Sequence, residues 1–179
     1  MSASKRGKAA KAAGTRFERR IANDLREWLP DHTITRNRSD LQMGQDGQSA
    51  GEFSITDGPF EVALAWELKR RAEWNEAMLF KSPIPKVIQG YWSEAVSAAN
   101  CCVPRIWRQP IVVMQTTKRG APILVLMRPT ASRRLVWCGR KPLMRVQVFS
   151  DTLEGEELCV WTWKSLMSVP SLRLAELTL

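Results

Sequence analysis

Residues 62–69, V-A-L-A-W-E-L-K, alternate with a period of two: Val62, Leu64, Trp66 and Leu68 fall on one side of an extended chain, Ala63, Ala65, Glu67 and Lys69 on the other. The segment reads as a strand whose large apolar face needs a covering layer. Its other face changes character along its length, from alanines to a carboxylate and an amine. Neither group belongs unpaired in an apolar core. A second strand is expected from Glu52 to Thr56, with Phe53 and Ile55 on one face, and Asp57-Gly58-Pro59 supplies the turn that joins the two.

The neighbouring segments supply that covering layer. Phe17, Ile21, Leu25, Trp28 and Leu29 recur at helical intervals from Gly14 onward, and Pro30 ends the helix. Thr33 to Arg38 alternates weakly as a short strand, and S-D-L-Q-M-G-Q-D-G-Q-S-A-G after it is a polar loop. R-R-A-E-W-N-E-A-M-L-F reads as helical up to Pro83 and Pro85; Lys86 to Ala99 is a second helix with Ile88, Trp92, Ala95, Val96 and Ala99 inward. Strands are expected at Ile111–Gln115 and Ile123–Met127, joined by the basic link K-R-G-A-P. Further strands are expected at Arg133–Cys138, Leu143–Phe149 and Leu158–Trp163, and the last residues form a short helix. The order describes an α/β or α+β domain with a mixed central sheet flanked by helices. It divides into a basic arm at 1–13, a core at 14–128 and a strand-rich C-terminal extension at 129–179 packed on that core.

Charge narrows the partner. The chain carries 27 Lys and Arg against 18 Asp and Glu, net +9. The excess is segregated: +6 in residues 1–20, −5 in 21–80, +11 in 81–149 and −3 in 150–179. Twelve bases with the single acid Glu94 in 81–149 would repel one another unless an anion lies against them, which points to nucleic acid. The arm, with Lys5, Arg6, Lys8 and Lys11, has no large apolar group with which to pack and is expected to be mobile. The acidic stretch D-T-L-E-G-E-E at 151–157 reads as a solvated surface. No apolar run of about 18 residues exists and the N-terminus lacks an apolar signal core, so a cytoplasmic protein is expected. The four cysteines form no C-x-x-C pair and are expected as buried free thiols. His32, the single histidine, excludes a histidine-rich metal site and is expected to be solvated.

Glu67 and Lys69 at i and i+2 therefore carry the chemistry, unless they form only a structural ion pair. Glu52 opens the neighbouring strand, and its parity can bring it to the same face with Ser54. Two carboxylates and the main-chain carbonyl between Glu67 and Lys69 are hard oxygen ligands that suit Mg²⁺. Lys69 can orient or deprotonate an attacking water, or offset charge growing on a phosphate. Glu18, beside the apolar stripe of the first helix, could add a ligand through water or bind a second ion.

These residues resemble the PD-(D/E)xK nuclease superfamily, and within it the Holliday junction resolvase-like enzymes of archaea and phages. The resemblance covers roughly Gly14 to Met127. It rests on G-T-R-F-E-R-R-I-A, the Gly-rich loop closing in G-E-F-S-I, the strand A-W-E-L-K-R-R, a helix with Gln89 and Trp92, and the strand opening P-I-V-V at Pro110. It implies a restriction-endonuclease-like α-β-β-β-α-β core with extra C-terminal strands. It also implies catalytic Glu18, Glu52, Glu67 and Lys69, of which the three glutamates hold Mg²⁺ or its substitute Mn²⁺. The family usually has Asp where Glu52 stands, so Asp57 or Asp40 is the alternative ligand. The implied protein is a homodimer that cuts branched DNA, in the host bacterial cytoplasm if phage-encoded.

Arg70 and Arg71 directly follow the strand and could hold the scissile phosphate; Lys118 and Arg119 of the basic link and the arm residues would bind backbone phosphates. Of the eight tryptophans, Trp28, Trp66, Trp92, Trp161 and Trp163 read as core, whereas Trp74 and Trp107 sit among polar or basic neighbours that could touch DNA. Tyr91 lacks the Arg/His-rich pocket of a tyrosine nucleophile. Two rival classes remain: a non-catalytic DNA-binding or packaging accessory protein, and an RNA-binding domain.

Overall fold

A computed structural model describes residues 3–37, 52–57, 64–81, 84–100, 108–137, 141–150 and 153–170. Residues 64–69 of that segment form most of β3 (Leu64–Arg71), at one edge of a five-stranded sheet ordered β3-β4-β5-β7-β6. β4 (Gln109–Thr116) lies parallel to β3, with Trp66 opposite Ile111 and Lys69 opposite Met114. The crossover between them carries α2 (Lys86–Asn100). β5 (Leu124–Met127), β7 (Leu153–Thr162) and β6 (Met144–Ser150) complete the sheet by antiparallel pairing. The sheet is mixed, as expected, and the segment after residue 128 supplies two of its strands.

Both faces of the sheet are covered. α1 (Ala3–Trp28) lays Phe17, Ile21 and Leu25 against Trp66, Leu68, Val113, Val125 and Trp161. α2 lays Ile88, Trp92 and Ala95 against Val112, Met114, Leu126 and Val160 on the opposite face. Trp66 is fully buried and meets Trp163 edge to face, centroids 6.2 Å apart at 76°. Burying such a side chain contributes about 2–3 kcal/mol. Ala65 is buried under Ala99, so α2 approaches β3 closely where the small residues lie. Trp28 is half-buried; Trp92, Trp161, Trp163 and the described cysteine, Cys159, are buried as expected.

Several elements differ from their expected form. α1 begins at Ala3 rather than near Gly14. The Lys/Ala-rich segment is a strong helix former, and it runs on from the packed helix instead of forming an irregular arm. β2 (Phe53–Thr56) pairs antiparallel with β1 (Thr33–Arg36), Ile34 opposite Ile55, and not along β3. The segment after Lys69 continues as strand through Arg71 because Arg70 and Arg71 stay paired with Gln115 and Thr116; only Glu76–Phe80 turns helical, as a 3₁₀ helix. Pro129–Trp137 is α3, where a strand was expected at 133–138. Pro129 is preorganised for a first helical turn, and a short apolar run such as L-V-W does not by itself separate strand from helix. α4 (Trp163–Met167) is capped by Thr162, whose hydroxyl accepts from Ser165 N at 3.0 Å. His32 and Trp74 are buried, not solvent-facing.

The acidic stretch is not merely solvated either. Glu156 accepts from Trp92 Nε1 at 2.8 Å and from Arg128 Nε at 2.6 Å, joining β7 to α2. Glu156→Ala strips both donors of their acceptor and should cost about 1–3 kcal/mol. Glu157→Ala, which loses a more exposed pair to Arg145 at 3.1 Å, should cost under about 1 kcal/mol. Urea midpoints check this; equal losses would show that Glu156 anchors nothing.

Candidate active site

β3 leaves the core while it is still paired with β4. Its alanine face, buried at Ala65, becomes polar at Glu67 and Lys69, whose side chains are each 13% exposed. Their i, i+2 spacing puts them side by side, and Lys69 Nζ lies 2.6 Å from Glu67 Oε1. α2 adds a carboxylate to the same face: Glu94 Oε2 is 2.5 Å from Lys69 Nζ. The Tyr91 ring, one helical turn before Glu94, lies 5.7 Å from the ammonium, and its hydroxyl donates to Glu73 Oε1 at 2.7 Å. Burial and that bond raise the Tyr91 hydroxyl well above its ordinary range, which leaves it no nucleophile.

Glu52 arrives from the other direction. Its backbone N–H donates to the Trp66 carbonyl at 2.6 Å, and its carbonyl accepts from Asn37 N at 2.9 Å, so it bridges the open edge of β3 to the end of β1. Carbonyls alternate sides along a strand, so the Leu68 carbonyl points to the same open edge as that of Trp66. Ser54 Oγ donates to Asn37 Oδ1 at 2.8 Å, which fixes the β1–β2 end beside Glu52.

A cleft of about 660 Å³ opens over this edge between α1 and β3, lined by Glu18, Arg36, Asn37, Glu52, Lys69 and Arg71 among others. On the α1 wall, Gly7, Ala10 and Gly14 precede Glu18 along one helix face and leave that wall low. Glu18 is not free in it; Arg36 Nη1 lies 3.2 Å from its carboxylate. Glu67 does not line the cleft but borders it through Lys69 and through its repulsion of Glu52.

The electrostatics record the convergence. Burial, then the charges of Glu67 and Glu18, push the Glu52 carboxyl up to about 7, with Lys69 and Arg36 opposing. Burial also raises Glu67, against the pull of Lys69. For Lys69 burial works toward a lower value, but the bonds to Glu67 and Glu94 outweigh it and leave the amine above its ordinary range. Lys69 is therefore a cation at neutral pH, which favours orientation and charge compensation over proton abstraction.

The Glu52 shift has a testable sign. The fold favours its neutral form, so its contribution to stability is complete below pH ~4.5 and is lost as pH rises through about 7. The loss is on the order of 2–3 kcal/mol. Glu52→Gln should flatten the fall in melting temperature between pH 5 and pH 8, and parallel curves for the two proteins would contradict the shift.

The other expected site residues fall as follows. Asp57 is exposed at the end of β2 with φ 57°, and its Oδ2 accepts from Thr56 Oγ1 at 3.0 Å. That is a turn residue's environment, outside the cleft. Asp40 and Trp107, and the side chains of Lys5 and Arg6, lie outside the described residues. Lys8 and Lys11 are exposed on α1, and Lys11 lines the cleft; Arg71 is exposed at its rim. Arg70 is half-buried and donates to the Ala13 carbonyl at 3.3 Å, tying β3 to α1. Lys118 and Arg119 are exposed on the β4–β5 turn. Glu94, Arg36 and Asn37 were not foreseen. Glu94 had a signal, since it is the single acid among twelve bases.

The donors available to a divalent cation are hard oxygens: the carboxylates of Glu52 and Glu67, of which Lys69 engages one Glu67 oxygen, and the Leu68 carbonyl. That set fits Mg²⁺ or Mn²⁺, whose coordination water completes. Among the described residues no group of three His, Cys, Asp or Glu side chains is gathered closely enough to hold an ion. Glu18 lines the cleft with Glu52 and has its carboxylate paired with Arg36. No helix of the described residues is long and apolar enough to cross a membrane.

A family model described as phage putative PDDEXK endonuclease matches residues 9–176. No curated protein and no solved structure matches the chain.

Proposed function

Since the chain belongs to the phage PDDEXK endonuclease family, we propose that it is a metal-dependent endodeoxyribonuclease, acting on branched DNA as a homodimer in the bacterial cytoplasm. The observation that carries the reading is the Glu67–Lys69 pair at the open edge of β3 with Glu52 bridging that edge. Residues 14–128 supply the catalytic core, and the strands after residue 129 complete its sheet.

Glu52 and Glu67, with the Leu68 carbonyl, would hold the divalent cation, Mg²⁺ or Mn²⁺, and Glu18 would support it from α1. When bound, the ion supplies polarisation of the phosphate and a more acidic water. The residues do the rest. Lys69, a fixed cation, faces the phosphate on which negative charge grows. Glu94 and Tyr91 keep its ammonium from swinging away. A water oxygen attacks phosphorus in line and releases its proton to solvent, while the bond to the leaving oxygen breaks and that oxygen takes up a proton from solvent; no enzyme nucleophile intervenes. Lys11 and Arg71 at the rim, with Lys5, Arg6 and Lys8 further along α1, bind backbone phosphates without reading bases.

The branched substrate rests on the resemblance of the residues from Gly14 to Met127 to Holliday junction resolvase-like enzymes, whose relatives also cut flaps, ends and plain duplex. It is tested by offering four-way junctions, flaps and plain duplex with Mg²⁺ or Mn²⁺. Junctions should be cut in preference to duplex. Equal cutting of all three removes the branch specificity but keeps the nuclease. Binding of all three without cutting leaves a DNA-binding or packaging protein with this fold.

A further inference from the structure

On the far side of Arg70 from the candidate active site lies a second, smaller cleft of about 390 Å³. Its walls come from α1, β3 and the β4–β5 turn, which contribute Arg16 and Arg20, Arg70, and Lys118 and Arg119 respectively, with Gln115 beside them. No acidic side chain lines it. None of the five cations forms a salt bridge among the described residues. Arg16 and Arg20 stand at i and i+4, one above the other on α1, where like charges repel. Gly120, at φ 77°, turns the chain tightly directly after Lys118 and Arg119. Arg70 is only partly satisfied: Nη1 has the Ala13 carbonyl, while Nε is buried with no acceptor. A half-buried guanidinium whose Nε lacks an acceptor, amid four more cations and no acid, is an arrangement that an anion completes.

We infer that this cleft is a phosphate-binding pocket for the DNA backbone, one that holds a phosphate flanking the scissile bond. The inference rests on the nuclease reading above. Arg70 lines both clefts, so a strand crossing the open edge of β3 passes from one to the other over this residue. The pocket holds the strand by its backbone from two elements, α1 and the β4–β5 turn, and sets where along it the cut falls.

The test is DNA binding in EDTA, followed by fluorescence anisotropy of a labelled duplex between 50 and 200 mM salt, with each variant first shown to melt like the wild type. Arg16→Gln/Arg20→Gln and Lys118→Gln/Arg119→Gln should each weaken binding about tenfold and reduce the slope of log affinity against log salt by about 1, the signature of one lost phosphate contact. Because both pairs hold the same phosphate, combining them should cost little more than either alone. Lys81→Gln/Lys86→Gln removes equal charge outside both clefts and should leave the slope near that of the wild type. Unmoved slopes in both pocket variants, fully additive losses, or an equal loss in the Lys81/Lys86 control would each overturn the pocket. A wild-type protein that binds no DNA at 50 mM salt would overturn the nuclease reading with it; one that binds normally while the pocket variants match it overturns the pocket alone.

Discussion

Lys69→Ala should slow phosphodiester cleavage by about 10³-fold with DNA binding largely kept. The size follows from two effects in one direction. The substitution removes the cation set where charge develops on the phosphate, and in a partly dry site that charge is worth several kcal/mol. It also leaves Glu67 without the ammonium 2.6 Å away. Burial already raises Glu67, so loss of Lys69 raises it further and weakens its claim on a divalent cation. Binding survives because the rim cations hold the backbone independently. Single-turnover cleavage, with anisotropy on the same samples, separates the two; a near-normal rate would remove Lys69 from the mechanism.

Glu52→Gln should cost at least about 100-fold in cleavage, and Asp57→Asn should change it little. The two acids are five residues apart, and either could serve as the second ligand by motif alone. Their surroundings differ. Glu52 bridges the open edge of β3 and feels Glu67 and Glu18, whereas Asp57 is an exposed turn residue bonded to Thr56. Gln is close in shape and charge to the neutral Glu52 that the fold prefers, so the protein should remain folded and the lost rate should report lost chemistry. Cleavage rates at pH 8 decide it, and a larger loss in Asp57→Asn would move the ligand to the turn.

The parts of this fold legible in the sequence are those in which one period persists against one partner. The 62–69 alternation placed Trp66 in the core and Glu67 beside Lys69 because a strand has only two faces. The α1 stripe of Phe17, Ile21 and Leu25 was legible for the same reason. Most of what escaped depended on long-range pairing. Arg70 and Arg71 look like a helix start until Gln115 and Thr116 hold them in the ladder. β2 was expected beside β3, but register with β1 decides its ladder, and Glu52 keeps a single backbone bond to Trp66. Glu94 and Arg36, which hold Lys69 and Glu18, come from elements distant in sequence, and no spacing rule links them. At Arg133–Cys138 the apolar run was too short to distinguish periods, and the proline before it settled the matter.

The most direct measurement follows covalently closed circular DNA in Mg²⁺ and in EDTA with wild-type protein and with Glu67→Gln. The expected result is nicking by the wild type in Mg²⁺ alone, none in EDTA, and none by Glu67→Gln although it still binds the DNA. Nicking that persists in EDTA, or that Glu67→Gln performs at the wild-type rate, would contradict a metal-dependent nuclease built on Glu52, Glu67 and Lys69.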